Sequence, residues 1–441
     1  MARIYETNKE GHLTIGGLDA LDLADTFQTP VIVYDVAKIR NEAQEMHHAF
    51  QKRNLSYQIA YASKAFSCKA MVQLAEEEGL SLDVVSGGEL HTALLAGFPT
   101  ERIHFHGNNK SEAELKMAIE ANIGCVVLDN HLEIQWLQSL CNEANATMNV
   151  LLRVTPGIEA HTHDYILTGQ EDSKFGFDLQ SGQANAAFEA VNASSRLCFK
   201  GLHCHIGSQI FEATGFTHAA EKLIALLSEW KVKYNQEAEV LNIGGGFGIR
   251  YTDEDTPMPI GLVLGEVLDY ISSAVLERGL AMPEVWIEPG RSLVGEAATT
   301  LYTLGSRKDI PGIRTYVSVD GGMSDNLRPA LYQAKYDAAL AERPNAGADE
   351  TVSIAGKCCE TGDMLIWDVA LPQSSAGDIL AVPSTGAYGY SMANHYNRNP
   401  RPAVVFIENG EAFTAIRRET YEDLTQFDLT LRNYKKTETT I

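Results

Sequence analysis

The sequence has few basic residues, no long apolar run and no cysteine pattern, and each shortage removes a class of protein. Lys and Arg number 35 against 58 Asp and Glu, a formal net charge of -23. Nucleic acids and anionic membranes are bound through basic footprints, so both are excluded as partners, and an anionic small ligand must find its cations locally. No stretch reaches the ~18 apolar residues of a membrane span. The N-terminus, MARIYETNKEGHL, lacks the apolar core of a secretory signal. The seven cysteines, at positions 68, 125, 141, 198, 204, 358 and 359, are odd in number and without CxxC spacing. They read as reduced thiols, not as a zinc site or a disulfide framework. The expectation is a soluble cytoplasmic protein that acts on a small molecule.

What is present has a regular rhythm. At 441 residues and ~150 per domain, two or three domains are expected, or one barrel with an appendage. Apolar runs recur at 56–62, 81–85, 102–105, 125–128, 149–154, 199–205, 240–243 and 285–287, and most are separated by segments of helical spacing. Eight β/α units predict a (β/α)8 TIM barrel. Beyond residue 291 the period changes to short alternating strands, at 315–319, 351–354, 364–369, 379–382 and 403–407, an all-β pattern. The short N-terminal pieces around 12–15 and 31–34 are read as joining it. The fold class is therefore α/β plus all-β, with a barrel over 36–290 and a discontinuous β domain from 1–35 and 291–441.

Nearly every barrel run ends in a polar or glycine-rich cluster, and in a barrel those ends meet on the face that carries chemistry. The first run ends at Lys64, whose amine, at the mouth of an apolar strand end, could form a Schiff base if burial keeps it desolvated. His203 and His205, two apart on a strand, project to one side. They could ligate a metal together with His161 and His163, or one could stack on an aromatic cofactor, with Ser208 donating to its phosphate. Gly244, Gly245 and Gly246 follow the seventh run, where a barrel's phosphate site commonly begins, although a tight turn would need them too. The sequence there is neither a P-loop nor a dinucleotide fingerprint. Glu288, followed by Pro289, Gly290 and Arg291, could pair with a pyridinium nitrogen or simply with Arg291. Cys358-Cys359-Glu360 stands in a turn-like setting where a thiol could donate a proton.

Taken together, the strings YASKAF, LDVVSGGEL, HFHGNNKS, GLHCHIGSQI, NIGGGFGI, EPGRSLV, MSDNLRPALY, CCETGD and GAYGYSM resemble the pyridoxal-phosphate decarboxylases of the alanine-racemase-like fold, fold type III. Within them the chain looks like the branch that acts on diaminopimelate, to which the HTHDYILTG stretch also points. The resemblance implies that pyridoxal 5'-phosphate is held by Lys64, with His205 on its ring and Glu288 at its nitrogen. Ser208, Gly244, Gly245, Gly246, Pro289, Gly290, Arg291 and Tyr388 complete the cofactor site. It implies further that Arg291, Arg328, Tyr332, Glu360 and Tyr388 bind substrate. Cys359 would donate the proton, and Cys359 and Glu360 would come from the partner of a homodimer with shared active sites. No metal is implied. The reaction implied is decarboxylation of meso-2,6-diaminopimelate to L-lysine, the last step of lysine biosynthesis. Alternatives are a decarboxylase of another basic or polyamine-related substrate, a non-catalytic pyridoxal-phosphate carrier, and a metal-dependent barrel hydrolase. Two positions depart from the family pattern: Phe66 stands where Asn is common, and Cys358 doubles the usual single cysteine.

Overall fold

A computed structural model describes residues 3–157 and 173–431. His161, His163 and the HTHDYILTG stretch lie outside the described residues. Among the described residues, no helix is long and apolar enough to cross a membrane. The chain divides into two compact units.

The first unit comprises Arg3, Asp35–Ala298 and Ser384–Ser391 among the described residues. Eight parallel strands, Tyr57–Ala62, Ser81–Val84, Ile103–Phe105, Cys125–Leu128, Met148–Thr155, Leu197–His203, Val240–Asn242 and Glu284–Ile287, pair in chain order. The eighth then pairs with the first, Val285 opposite Tyr57, which closes the barrel. Helices connect the strands, and polar residues at the strand ends start them. Ser86 accepts from Glu89 N, and Ser111 with Glu114 forms a full capping box.

Side chains alternate along a strand, so every second residue points inward. Cys125, Val127, Leu151, Val240 and Trp286 pack together as one interior layer. Two residues further along these same strands stand Asp129, Arg153, Asn242 and Glu288. The same step on neighbouring strands leads from Ser81 to Asp83, from His104 to His106 and from Gly201 to His203. The interior thus changes from apolar to polar at the C-terminal mouth, because the inward residues do. Sequence reading carried the sixth strand to residue 205, but it ends at His203; Gly207, at φ +141°, turns the chain beyond it.

The second unit is built on a sheet containing the long strand Ala298–Ile310. Its first half pairs with Ile379–Pro383 and its second with Arg314–Val319. The N-terminal strand Val31–Asp35 is inserted between Ala298–Ile310 and Ala403–Glu408. Thr14–Ile15 pairs with Leu18–Asp19 in a small hairpin. The core here is Val31, Val33, Leu301, Ala381, Val405 and Ile407 with the residues around them.

Candidate active site

Lys64 sits in a single 3-10 turn, Ser63–Ala65, directly after the first barrel strand. Its side chain is exposed, where a desolvated amine was expected. The positive charge is nevertheless felt by Asp83, Glu89 and His205. The turn is fixed from several directions. Ala62 N donates to Pro289 O at 3.0 Å, and a Cβ on Gly290 would come within 3.1 Å of the Ala62 Cβ. Pro289 and Gly290 therefore bind the end of the eighth strand to the lysine turn. Phe66 is buried, its ring edge-on to Tyr390 and its carbonyl accepting from Tyr61 OH at 2.6 Å. It is a packing residue, and it leaves the lysine in register.

Glu288 is buried beyond the eighth strand, and no ion pair joins it to Arg291. Its Oε1 accepts from Asn242 Nδ2 at 2.6 Å and lies 3.0 Å from His106 Nε2; its Oε2 lies 3.1 Å from His203 Nε2. Burial pushes this carboxyl up, but the charge of His106 and the hydrogen bond with His203 Nε2 outweigh it. The net effect holds Glu288 well below the usual carboxylate range. Burial drives His203 down to about 4, so its ring is neutral.

His205, half-buried, accepts the Gly245 N–H on Nδ1 at 3.2 Å. Burial and then the charge of Lys64 hold it well below the ordinary histidine value, so the ring is neutral with its proton on Nε2. The glycines of the loop are demanded by the backbone itself. A Cβ would stand 2.3 Å from Cys204 O at Gly244, 1.9 Å from Glu288 O at Gly245 and 2.2 Å from Gly207 O at Gly246. Two of the loop amides are used internally, Gly244 N–H on Asn242 Oδ1 and Gly245 N–H on His205.

Arg291 provides the local cation that the overall charge requires. Its Nη2 donates to Ser208 Oγ at 2.9 Å, its Nη1 to Tyr251 OH, and its guanidinium lies 4.9 Å from the centre of the Tyr388 ring. Tyr388 is held at φ +61° by its N–H on Ala65 O, a conformation that costs a non-glycine residue about 1–3 kcal/mol. Lys64, His205, Ser208, Gly244–Gly246, Glu288, Arg291 and Tyr388 thus belong to one unit. His106, Asn242, Tyr251 and Asp83 join them without having been singled out. The signal for the first two was present, each being the inward residue just beyond or at a strand end.

Arg328, Tyr332, Cys359 and Glu360 belong to the second unit. Arg328 is buried and donates to Tyr336 OH at 2.5 Å, while Tyr332, at the other end of the short helix Arg328–Tyr332, is exposed. Cys359 is exposed, with its N–H on Asn397 Oδ1 at 2.6 Å, and Glu360 accepts from Tyr396 OH at 3.1 Å. Cys358 is buried, and burial followed by the charge of Asp363 raises its thiol.

A family model described as the pyridoxal binding domain of pyridoxal-dependent decarboxylases matches residues 36–295. Diaminopimelate decarboxylase of Bacillus subtilis is 62% identical over 96% of this chain and 96% of its own. The chain belongs to the diaminopimelate decarboxylases. The Staphylococcus aureus member is 50% identical over 95% of the chain and 97% of its own. The crystal structure of the M. jannaschii enzyme in complex with L-lysine superposes with a TM-score of 0.89 at 34% identity, covering 97% of this chain and 98% of that one. Membership makes the chain a pyridoxal-phosphate-dependent carboxy-lyase of fold type III. The donor set suits that cofactor: an exposed primary amino group at Lys64, a guanidinium and hydroxyl at Arg291 and Ser208 for the phosphate, and an ionised carboxylate at Glu288 for the ring nitrogen.

Proposed function

We propose that the barrel mouth, completed by Cys359 and Glu360 of a second copy of the chain, removes the D-centre carboxylate of meso-2,6-diaminopimelate to give L-lysine and carbon dioxide. The observation that carries this division of labour is the buried Glu288 carboxylate, kept ionised by its histidine neighbours. Pyridoxal phosphate, when bound, supplies an electron-withdrawing ring that takes up the electron pair left as the carbon–carboxylate bond breaks.

The chain's own residues do the rest. Lys64 would hold the cofactor through its side-chain amine until the substrate amine takes its place. Ser208, Arg291 and the glycine loop would hold its phosphate, and the neutral His205 would serve its ring. Arg328 and Tyr332 bind the substrate's far carboxylate with Arg291, for which a guanidinium fork is suited; Glu360 meets the far ammonium. The Cys359 thiol then delivers a proton to the carbon that lost carbon dioxide. We place the reaction in the cytoplasm, in keeping with seven cysteines that are all free.

The test is product release from meso-diaminopimelate by purified protein with pyridoxal phosphate, run beside ornithine, arginine and lysine. L-lysine and carbon dioxide are expected from meso-diaminopimelate alone. Turnover of one of the others in its place would overturn the substrate assignment. Lys64→Ala is expected to lose the absorbance of the covalently held cofactor, and a persisting band would move the attachment to another residue.

A further inference from the structure

Three side chains surround the Glu288 carboxylate, and only one of them brings a charge. Asn242 is neutral and fixed, its Oδ1 taken by Gly244 N–H at 2.9 Å and its Nδ2 given to Glu288. His203 is neutral, and its Nδ1 has no hydrogen-bond partner among the described residues. His106, on the end of the third strand, is fully buried, with Nε2 at 3.0 Å from Glu288 Oε1 and 3.8 Å from Asp83 Oδ1. The approach to Glu288 is that of an ion pair and not of a well-aligned hydrogen bond.

The charged and titratable groups around His106 come from every side. They are Asp83 on the second strand, His104 on its own, Arg153 on the fifth, His203 on the sixth and Glu288 beyond the eighth. Burial works against a charge on His106, but Asp83 and Glu288 overcome it, and Arg153 opposes them less. Of the two carboxylates, Glu288 is the nearer to His106 Nε2, at 3.0 Å against 3.8 Å for Asp83.

We propose that His106 is a positioning residue of the decarboxylation: its imidazolium, placed between Glu288 and Asp83, holds the Glu288 carboxylate charged and in place for the cofactor ring. The inference rests on the reading of Glu288 as the partner of the ring nitrogen. A metal bridging His106, His203 and Glu288, whose donor atoms lie within 4.8 Å of one another, is the competing account.

The test compares His106→Gln, which keeps a polar group and loses the charge, with Glu288→Gln in the holoenzyme. Glu288→Gln should abolish turnover; retained turnover would remove the premise and with it the inference. His106→Gln should lower kcat by about ten- to a hundredfold, in line with other residues that orient a catalytic group, with KM almost unchanged. Losing a cation beside a carboxylate raises its pKa. The acid limb of kcat, and of the bound cofactor's absorption without substrate, should therefore move up by about one pH unit or more. An unmoved acid limb in His106→Gln, with Glu288→Gln inactive, would overturn the proposal, as would stoichiometric metal lost only in His106→Gln. If that variant fails to fold, nitrogen NMR of histidine-labelled wild-type enzyme decides. One buried imidazole should stay cationic to higher pH than the exposed histidines, and none doing so would refute it.

Discussion

A thiol can return a proton to carbon only if it reaches the reacting carbon, and Cys358 and Cys359 differ in that respect. Cys359 is exposed, whereas Cys358 is buried against Asp363, whose carboxylate accepts the Cys358 N–H at 2.8 Å. Accessibility therefore favours Cys359 as the donor. Cys359→Ala should lower kcat by about two orders of magnitude or more, and Cys358→Ala should leave it within about threefold. The reverse order, read from steady-state kinetics, would transfer the donor role to Cys358. Lys64 and Glu288 were legible in the sequence because a period of two carries the eye along each strand to its inward end. That His106 meets Glu288 was not. His106 reaches it only because the barrel closes, and a linear sequence shows no closure.

At the scale of elements, the strand-end glycines separate two demands that look alike in sequence. Gly245 lies so near the Glu288 carbonyl that a Cβ would stand 1.9 Å away, whereas Gly261, near the start of the helix Ile260–Glu277, has nothing within 4 Å. Gly245→Ala should cost at least about 1–3 kcal/mol through overpacking. Gly261→Ala should stabilise the chain by about 0.4–1 kcal/mol. Urea midpoints measure both, and equal effects would contradict the packing argument. A second element-level device lies one layer inside the mouth, where His104 stacks on Trp286 with ring centres 4.1 Å apart. Burial and the charge of His106 drive His104 down to about 3. The unfolded chain, with an ordinary histidine, therefore binds the extra proton between these values, and acid favours unfolding. The stability advantage of wild type over His104→Phe should shrink as the pH falls below about 6.5, by up to about 1.4 kcal/mol per unit. A difference independent of pH would contradict it. The strand Ala298–Ile310 was illegible for a related reason. Its far half is exposed and charged, Ser306 to Asp309, so that stretch shows no buried face to read.

At the scale of the whole molecule, the proposed sharing of active sites makes activity a property of pairs of chains. Lys64→Ala and Cys359→Ala would each be inactive alone, since one lacks the attachment amine and the other the donor. Mixed under conditions that exchange subunits, they should regain about a quarter of wild-type activity. Half of the randomly formed dimers are then hybrids, each with one intact site. No recovery after demonstrated exchange would place both residues in a single chain's site.

The stack of His104 on Trp286 also gives the barrel an optical signature. Trp286 is buried against a neutral imidazole, with its indole N–H on Glu284 Oε2 at 2.7 Å. Its emission should accordingly be blue-shifted and steady while the barrel stands, and should move to the red when the barrel opens. Trp367 is half exposed on the other unit, and its emission already reports water. With the remaining tryptophans replaced, the two colours would tell whether the barrel and the β unit melt together or one after the other.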